Sequence, residues 1–196
     1  MILPHRRIST PKSNFPSILL LNARSIFNKF DELSCLVASI RPQIIAISES
    51  WLHSAIISDL LQMNGCTFYR MDRHERIGGG VCLWVSNCFP SSIVPSYVSP
   101  SSSEVLLVKI PCLKLFLCVA YIPPSLPSSE KDNITGFFEN VFDGELATCP
   151  DLNLVVCGDF NDFDSSIFCN FFSLKIVLSR LLVVNQFWIR SGLVRL

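Results

Sequence analysis

Asn153-Leu154-Val155-Val156-Cys157-Gly158-Asp159-Phe160-Asn161-Asp162 is the stretch on which the fold turns. Its apolar part is short, β-branched and bounded by polar residues, the pattern of a buried strand. Gly158 then allows a tight turn or a close backbone approach. Asp159 and Asn161 fall at the strand's carboxyl end, where α/β sheets gather binding and catalytic groups. The carboxylate can take a proton or hold a metal, and the amide can donate to an oxyanion. A plain strand-to-loop turn with Asx capping fits the same residues, so the rest of the chain must decide.

Working outward, the residues just upstream predict a helix over 130–146. Ile134, Phe137, Phe138, Val141 and Phe142 recur at i, i+3, i+4, i+7 and i+8, one apolar stripe. Before it, Glu104 to Ile110 and Leu115 to Tyr121 are apolar runs separated by Pro111, an antiparallel hairpin. Near the start, Ile18 to Leu21 and Ile44 to Ile47 read as buried strands. They flank a helix over 28–40 on which Phe30, Leu33, Val37 and Ile40 align; Pro42 ends it. A short helix over 54–63, strands over 66–69 and 81–85, and an edge strand or loop over 93–98 fill the middle. Gly78-Gly79-Gly80 lacks the spacing of a phosphate-binding loop and reads as a flexible turn. The resulting order predicts an α/β fold of two sheets packed face to face, with helices outside.

Composition bounds the function. The chain has 196 residues, enough for one domain with a large core, and is 49% hydrophobic and 16% charged. Sixteen Lys+Arg balance sixteen Asp+Glu. A zero balance exerts no long-range pull on nucleic acid, though a local basic face stays open. The nine cysteines lie mostly in apolar runs and form no Cys-x-x-Cys pair. That favours reduced thiols, no zinc site, and a nuclear or cytoplasmic rather than secreted protein. The most apolar segment, 171–189, carries Lys175 and Arg180, so no membrane span is expected.

Uncommon polar residues end the strands: Asn22, Glu49, Tyr121, and Asp159 with Asn161. Brought into one cleft, they offer oxygen ligands suited to Mg²⁺ or Mn²⁺ and donors for a phosphate. Such a set fits phosphodiester cleavage, in which a carboxylate orients the attacking water. Each residue also has an ordinary explanation. Asn22 suits a turn, Glu49 a surface ion pair, and Tyr121 the edge of the core.

Taken together, these segments resemble the endonuclease/exonuclease/phosphatase superfamily, and within it the endonuclease domain of non-LTR (LINE-type) retrotransposons. The likeness is carried by Leu21-Asn22-Ala23-Arg24-Ser25, Asp31-Glu32-Leu33, Ile47-Ser48-Glu49-Ser50-Trp51-Leu52 and Tyr69-Arg70-Met71-Asp72-Arg73. It continues through Gly78-Gly79-Gly80-Val81, Tyr121-Ile122-Pro123-Pro124 and Gly158-Asp159-Phe160-Asn161. It implies a four-layered, DNase I-like α/β sandwich, incomplete at its C-terminal end. Glu49 would be the main metal ligand, for Mg²⁺ or Mn²⁺, with Asn22 beside it. Tyr121 would touch the scissile phosphate, Asp159 would activate the water, and Asn161 would stabilise the phosphoryl transition state. Arg73 would lie near the DNA backbone. The implied partners are DNA and, in an intact parent polyprotein, a reverse transcriptase domain primed by the nick.

The family pattern closes with a further Asp and a Ser-Asp-His motif. Here no His follows His74 and no Asp follows Asp164. Residues 165–196 contain no Asp, Glu or His, and no closing strands are recognisable. The expectation is therefore a loose tail over 1–14, a partial family domain over 15–172, and an aberrant apolar-basic tail over 173–196. The chain would be a frameshifted or truncated remnant of a DNA endonuclease, weak or inactive. Two alternatives stand beside it. One is an active, divergent Mg²⁺-dependent phosphodiesterase; the other is a non-catalytic binding module that keeps the cleft.

Overall fold

The computed structural model of the chain describes residues 15–74, 77–164, 166–170, 175–176 and 186–190. In order the elements are β1 (Ile18–Asn22), α1 (Phe30–Ile40), β2 (Ile44–Ser48), β3 (Cys66–Met71) and β4 (Val81–Ser86). Then come β5 (Ser92–Ile93), β6 (Glu104–Ile110), β7 (Leu115–Tyr121), α2 (Ser128–Thr148), β8 (Asn153–Asp159), α3 (Ser166–Asn170), β9 (Lys175–Ile176) and β10 (Gln186–Arg190). One sheet runs β1-β2-β4-β3; the other runs β5-β6-β7-β8-β10-β9.

Side-chain alternation builds the layers. In β4, Val81, Leu83 and Val85 face the second sheet, while Cys82 and Trp84 face α1. In β7, Leu115, Leu117, Val119 and Tyr121 face the first sheet, while Phe116, Cys118 and Ala120 face α2. The four layers are thus α1, first sheet, second sheet and α2. Strands buried on both faces read as continuous apolar runs, which is why β2, β4, β7 and β8 stand out in the sequence. Burial also pushes the Cys157 thiol up to about 12, so this cysteine acts as a small hydrophobe. Among the described residues no helix is long and apolar enough to cross a membrane.

Three local expectations change. The helix over 54–63 is only a single 3-10 turn, Ser58–Leu61. Trp84 Nε1 donates to the Leu61 carbonyl at 2.8 Å, diverting that acceptor from a longer helix. Strands are present in the segment expected to be an aberrant tail: β10 pairs antiparallel with β8, and β9 with β10. Gln186-Phe187-Trp188-Ile189-Arg190 is rich in strand-forming residues; its lack of acidic residues says nothing about pairing. The glycine triplet is tightly enclosed rather than loose, as described below.

Candidate active site

Both sheets contain one parallel pair, and the site lies where those pairs end. β1 runs parallel to β2, with Asn22 opposite Ser48. β7 runs parallel to β8, with Tyr121 opposite Asp159. Glu49 follows β2 directly. Parallel pairing brings carboxyl ends together, which antiparallel pairing cannot do.

One hydrogen bond joins the carboxyl ends of these two parallel pairs across the sheets. Asn22 Nδ2 donates to Asp159 Oδ2 at 2.8 Å. Asp159 Oδ1 accepts the Asn161 backbone N–H at 3.2 Å. The Asn161 side chain donates to the Ile122 carbonyl at 2.8 Å, and Ile122 N–H donates to the Asp159 carbonyl at 2.9 Å. These contacts tie the loops after β7 and β8 together. Beneath them Phe160 is fully buried against Phe168, with ring centroids 5.4 Å apart. The apolar residue inside Gly-Asp-Phe-Asn therefore anchors the loop while Asp159 and Asn161 make its polar contacts. A little further on, Asp162 accepts Lys131 Nζ at 2.9 Å and Ser125 N–H at 3.0 Å. Those two donors hold its carboxyl below the usual carboxylate range.

Asn22 Oδ1 is buried and has no hydrogen-bond partner among the described residues. A buried amide oxygen without a partner costs free energy unless a cation or water fills the role. Glu49 leaves the end of the neighbouring strand. Arg24 lies 3.7 Å from its carboxylate, with a side chain that is 78% exposed and so screens weakly. One amide oxygen and one carboxylate are hard donors, and Mg²⁺ characteristically binds few protein ligands while keeping waters. Among the described residues no cluster of three or more His, Cys, Asp or Glu side chains forms a metal cage. The residues present fit a hard divalent ion held partly by water and substrate.

Tyr121 is 6% exposed at the inner wall. Burial raises its hydroxyl pKa above the ordinary value, and the nearby Glu49 charge raises it further. Arg73 acts against that, while Asp159 and Glu104 add to it. The hydroxyl therefore stays protonated and able to donate.

Arg73, expected near a DNA backbone, is largely occupied within the protein. Its Nε donates to Glu104 Oε1 at 2.8 Å, and its guanidinium lies 5.1 Å from the Tyr121 ring centroid. Glu104 Oε2 also accepts the Gly80 N–H at 3.2 Å. A Cβ added at Gly79 would lie 2.8 Å from Glu104 Oε2, and one at Gly80 would lie 2.7 Å from Ser50 Oγ. Both glycines have positive φ, 69° and 76°. The triplet is a close-packed turn over a buried ion pair. Glu104 is the residue that sequence reasoning missed. Its one signal is a lone carboxylate opening a strand that is apolar except for Lys109; the fold sets it in register with Tyr121. Beyond Arg73 opens a cleft of about 630 Å³, bordered by His74, Ser102, Pro124 and Glu130.

The family model described as Endonuclease/Exonuclease/phosphatase family matches residues 20–193. The chain belongs to that family. The match extends across β9 and β10. Solved structures agree in fold, which is mixed α/β and DNase I-like. Humanized TDP2 from D. rerio has a TM-score of 0.59 at 17% identity, covering 90% of this chain and 82% of that one. The human Nocturnin catalytic domain gives 0.57 at 13% identity, covering 89% and 82%. An AP endonuclease from Archaeoglobus fulgidus gives 0.53 at 14% identity, covering 74% of this chain and 57% of that one. No curated protein matches the sequence.

Proposed function

We propose that this endonuclease/exonuclease/phosphatase family chain derives from a metal-dependent DNA endonuclease and that its cleft is built for phosphodiester hydrolysis. The observation that carries this reading is the pair formed by Asn22 and Asp159. One end of the Asn22 amide fixes the Asp159 carboxylate, and the other end is a buried, unpartnered oxygen beside the Glu49 strand end. A turn residue has no reason to hold that arrangement.

Asn22 Oδ1 and Glu49 would hold Mg²⁺ or Mn²⁺, which when bound supplies positive charge against charge developing on the phosphate. Asp159, held by two donors, orients the attacking water and accepts its proton. The protonated Tyr121 hydroxyl donates to a phosphate oxygen. One Asn161 amide N–H is engaged by Ile122, leaving the other to stabilise the transition state. DNA as substrate is supported by a neighbouring TDP2 structure described as complexed with single strand DNA product. The order of motifs from Leu21 to Asn161 favours a retrotransposon endonuclease, whose nick would prime a reverse transcriptase domain of the parent polyprotein.

Within these 196 residues no His follows His74 and no Asp follows Asp164. Losing one such acid–base or electrostatic partner costs ~10²–10⁴ in rate. The chain is therefore expected to nick supercoiled plasmid slowly, with Mg²⁺ and not with EDTA. Glu49→Ala and Asp159→Ala should each abolish that activity. Nicking that persists in either variant, or that EDTA leaves unchanged, would contradict the proposal.

A further inference from the structure

Glu49, Ser50, Trp51 and Leu52 form the turn that leaves β2. Ser50 and Leu52 are buried, while Trp51 is 38% exposed. Trp51 N–H donates to the Gly79 carbonyl at 3.0 Å, and Ser50 N–H donates to the Gly80 carbonyl at 3.1 Å. Glu49 and Trp51 both have positive φ, 52° and 53°. An L-residue there is strained, and such strain persists only when surrounding structure enforces it. The glycine triplet enforces it here. The indole edge lies along Gly78, where an added Cβ would be 3.6 Å from Nε1. Next to it Ile77 is 94% exposed. The fold thus holds a large aromatic side chain in a fixed, strained turn and leaves much of it in solvent. By contrast, Trp84 is fully buried.

We propose that Trp51 is a nucleobase platform, stacking an unpaired base of the nucleotide next to the scissile phosphate. This rests on the phosphodiesterase assignment above, in which Glu49, two residues earlier in the same turn, holds the metal; two residues span at most ~7 Å of chain. Every base has a π-face, so an aromatic platform holds single strands without reading sequence. It also provides a hold on DNA that needs no net positive charge, which this chain lacks.

The test is fluorescence titration of the intact chain with a short oligothymidylate in EDTA, beside Trp51→Phe, Trp51→Ala and an abasic strand of equal length. The oligothymidylate should quench wild-type emission. Trp51→Phe should lose most of the quench and keep most of the affinity. Trp51→Ala should bind about tenfold more weakly, and wild type should bind the abasic strand as weakly as Trp51→Ala binds thymidylate. Equal binding by wild type and Trp51→Ala, or equal binding of abasic and base-bearing strands, would overturn the platform. So would an absence of quenching, or a change of oligomeric state in Trp51→Ala that marks the indole as a self-association surface. The two ideas fail separately. Base-dependent binding without nicking leaves the platform standing and removes the phosphodiesterase. Nicking with normal binding by Trp51→Ala does the reverse.

Discussion

Glu104 opens β6 in a setting where a carboxylate would not survive unpaired. It is 5% exposed, accepts from Arg73 and from the Gly80 backbone, and lies opposite Tyr121 across the hairpin. Breaking a buried pair by removing one partner leaves the other charge stranded, at ~3–5 kcal/mol. Glu104→Ala should therefore lower the urea-derived stability by about 3 kcal/mol or more. The double variant Arg73→Met with Glu104→Leu should recover most of that loss. Equal stability of Glu104→Ala and wild type would show the pair to be incidental. The same residues explain what could be read from sequence. Asn22, Glu49, Tyr121 and Asp159 stand out in the sequence because each is a polar residue at the end of an apolar run. Arg73 was legible as basic, but its partner is 31 positions away, and only the sheet packing brings them together. A carboxylate at the first position of a strand looks like a solvated strand end until the register is known.

β7 and β8 approach so closely that a Cβ at Gly158 would lie 1.8 Å from the Ala120 carbonyl oxygen. Its φ is 143°, in the region that favours glycine. The strand cannot move aside without breaking its parallel ladder with β7. Gly158→Ala is expected to cost more than about 3 kcal/mol, seen as loss of a cooperative urea transition. An unaltered transition would show that β7 and β8 leave room for a methyl group at this position. The sequence announced β8 and its Gly-Asp-Phe-Asn end because burial on both faces leaves a continuous apolar run. It misled at residues 54–63, where helical spacing exists but a tertiary hydrogen bond from Trp84 takes the Leu61 carbonyl. It misled again at β10, where acid-free composition drew attention away from strand-forming residues. Such composition is a property of a segment, while pairing is a property of its neighbour, here β8.

At the scale of the whole molecule, four layers serve one purpose: they bring the carboxyl ends of two parallel strand pairs, one per sheet, to the same edge. The hydrogen bond from Asn22 to Asp159 crosses between the sheets, so the site exists only when both halves are assembled. Layer architecture was readable from alternating strands and two amphipathic helices; the bridging bond was not, because it joins residues 137 positions apart. We propose that this shared edge holds a hard divalent ion through Asn22 and Glu49, whatever rate of cleavage follows. The most direct test is a Mn²⁺ titration of the purified chain, followed by water-proton relaxation, beside Glu49→Gln and Asn22→Ala. Wild type should bind one Mn²⁺, with affinity reduced about tenfold or more in each variant and Mg²⁺ competing for the same site. Equal Mn²⁺ binding by all three proteins, or none by folded wild type, would rule out a metal held by Asn22 and Glu49.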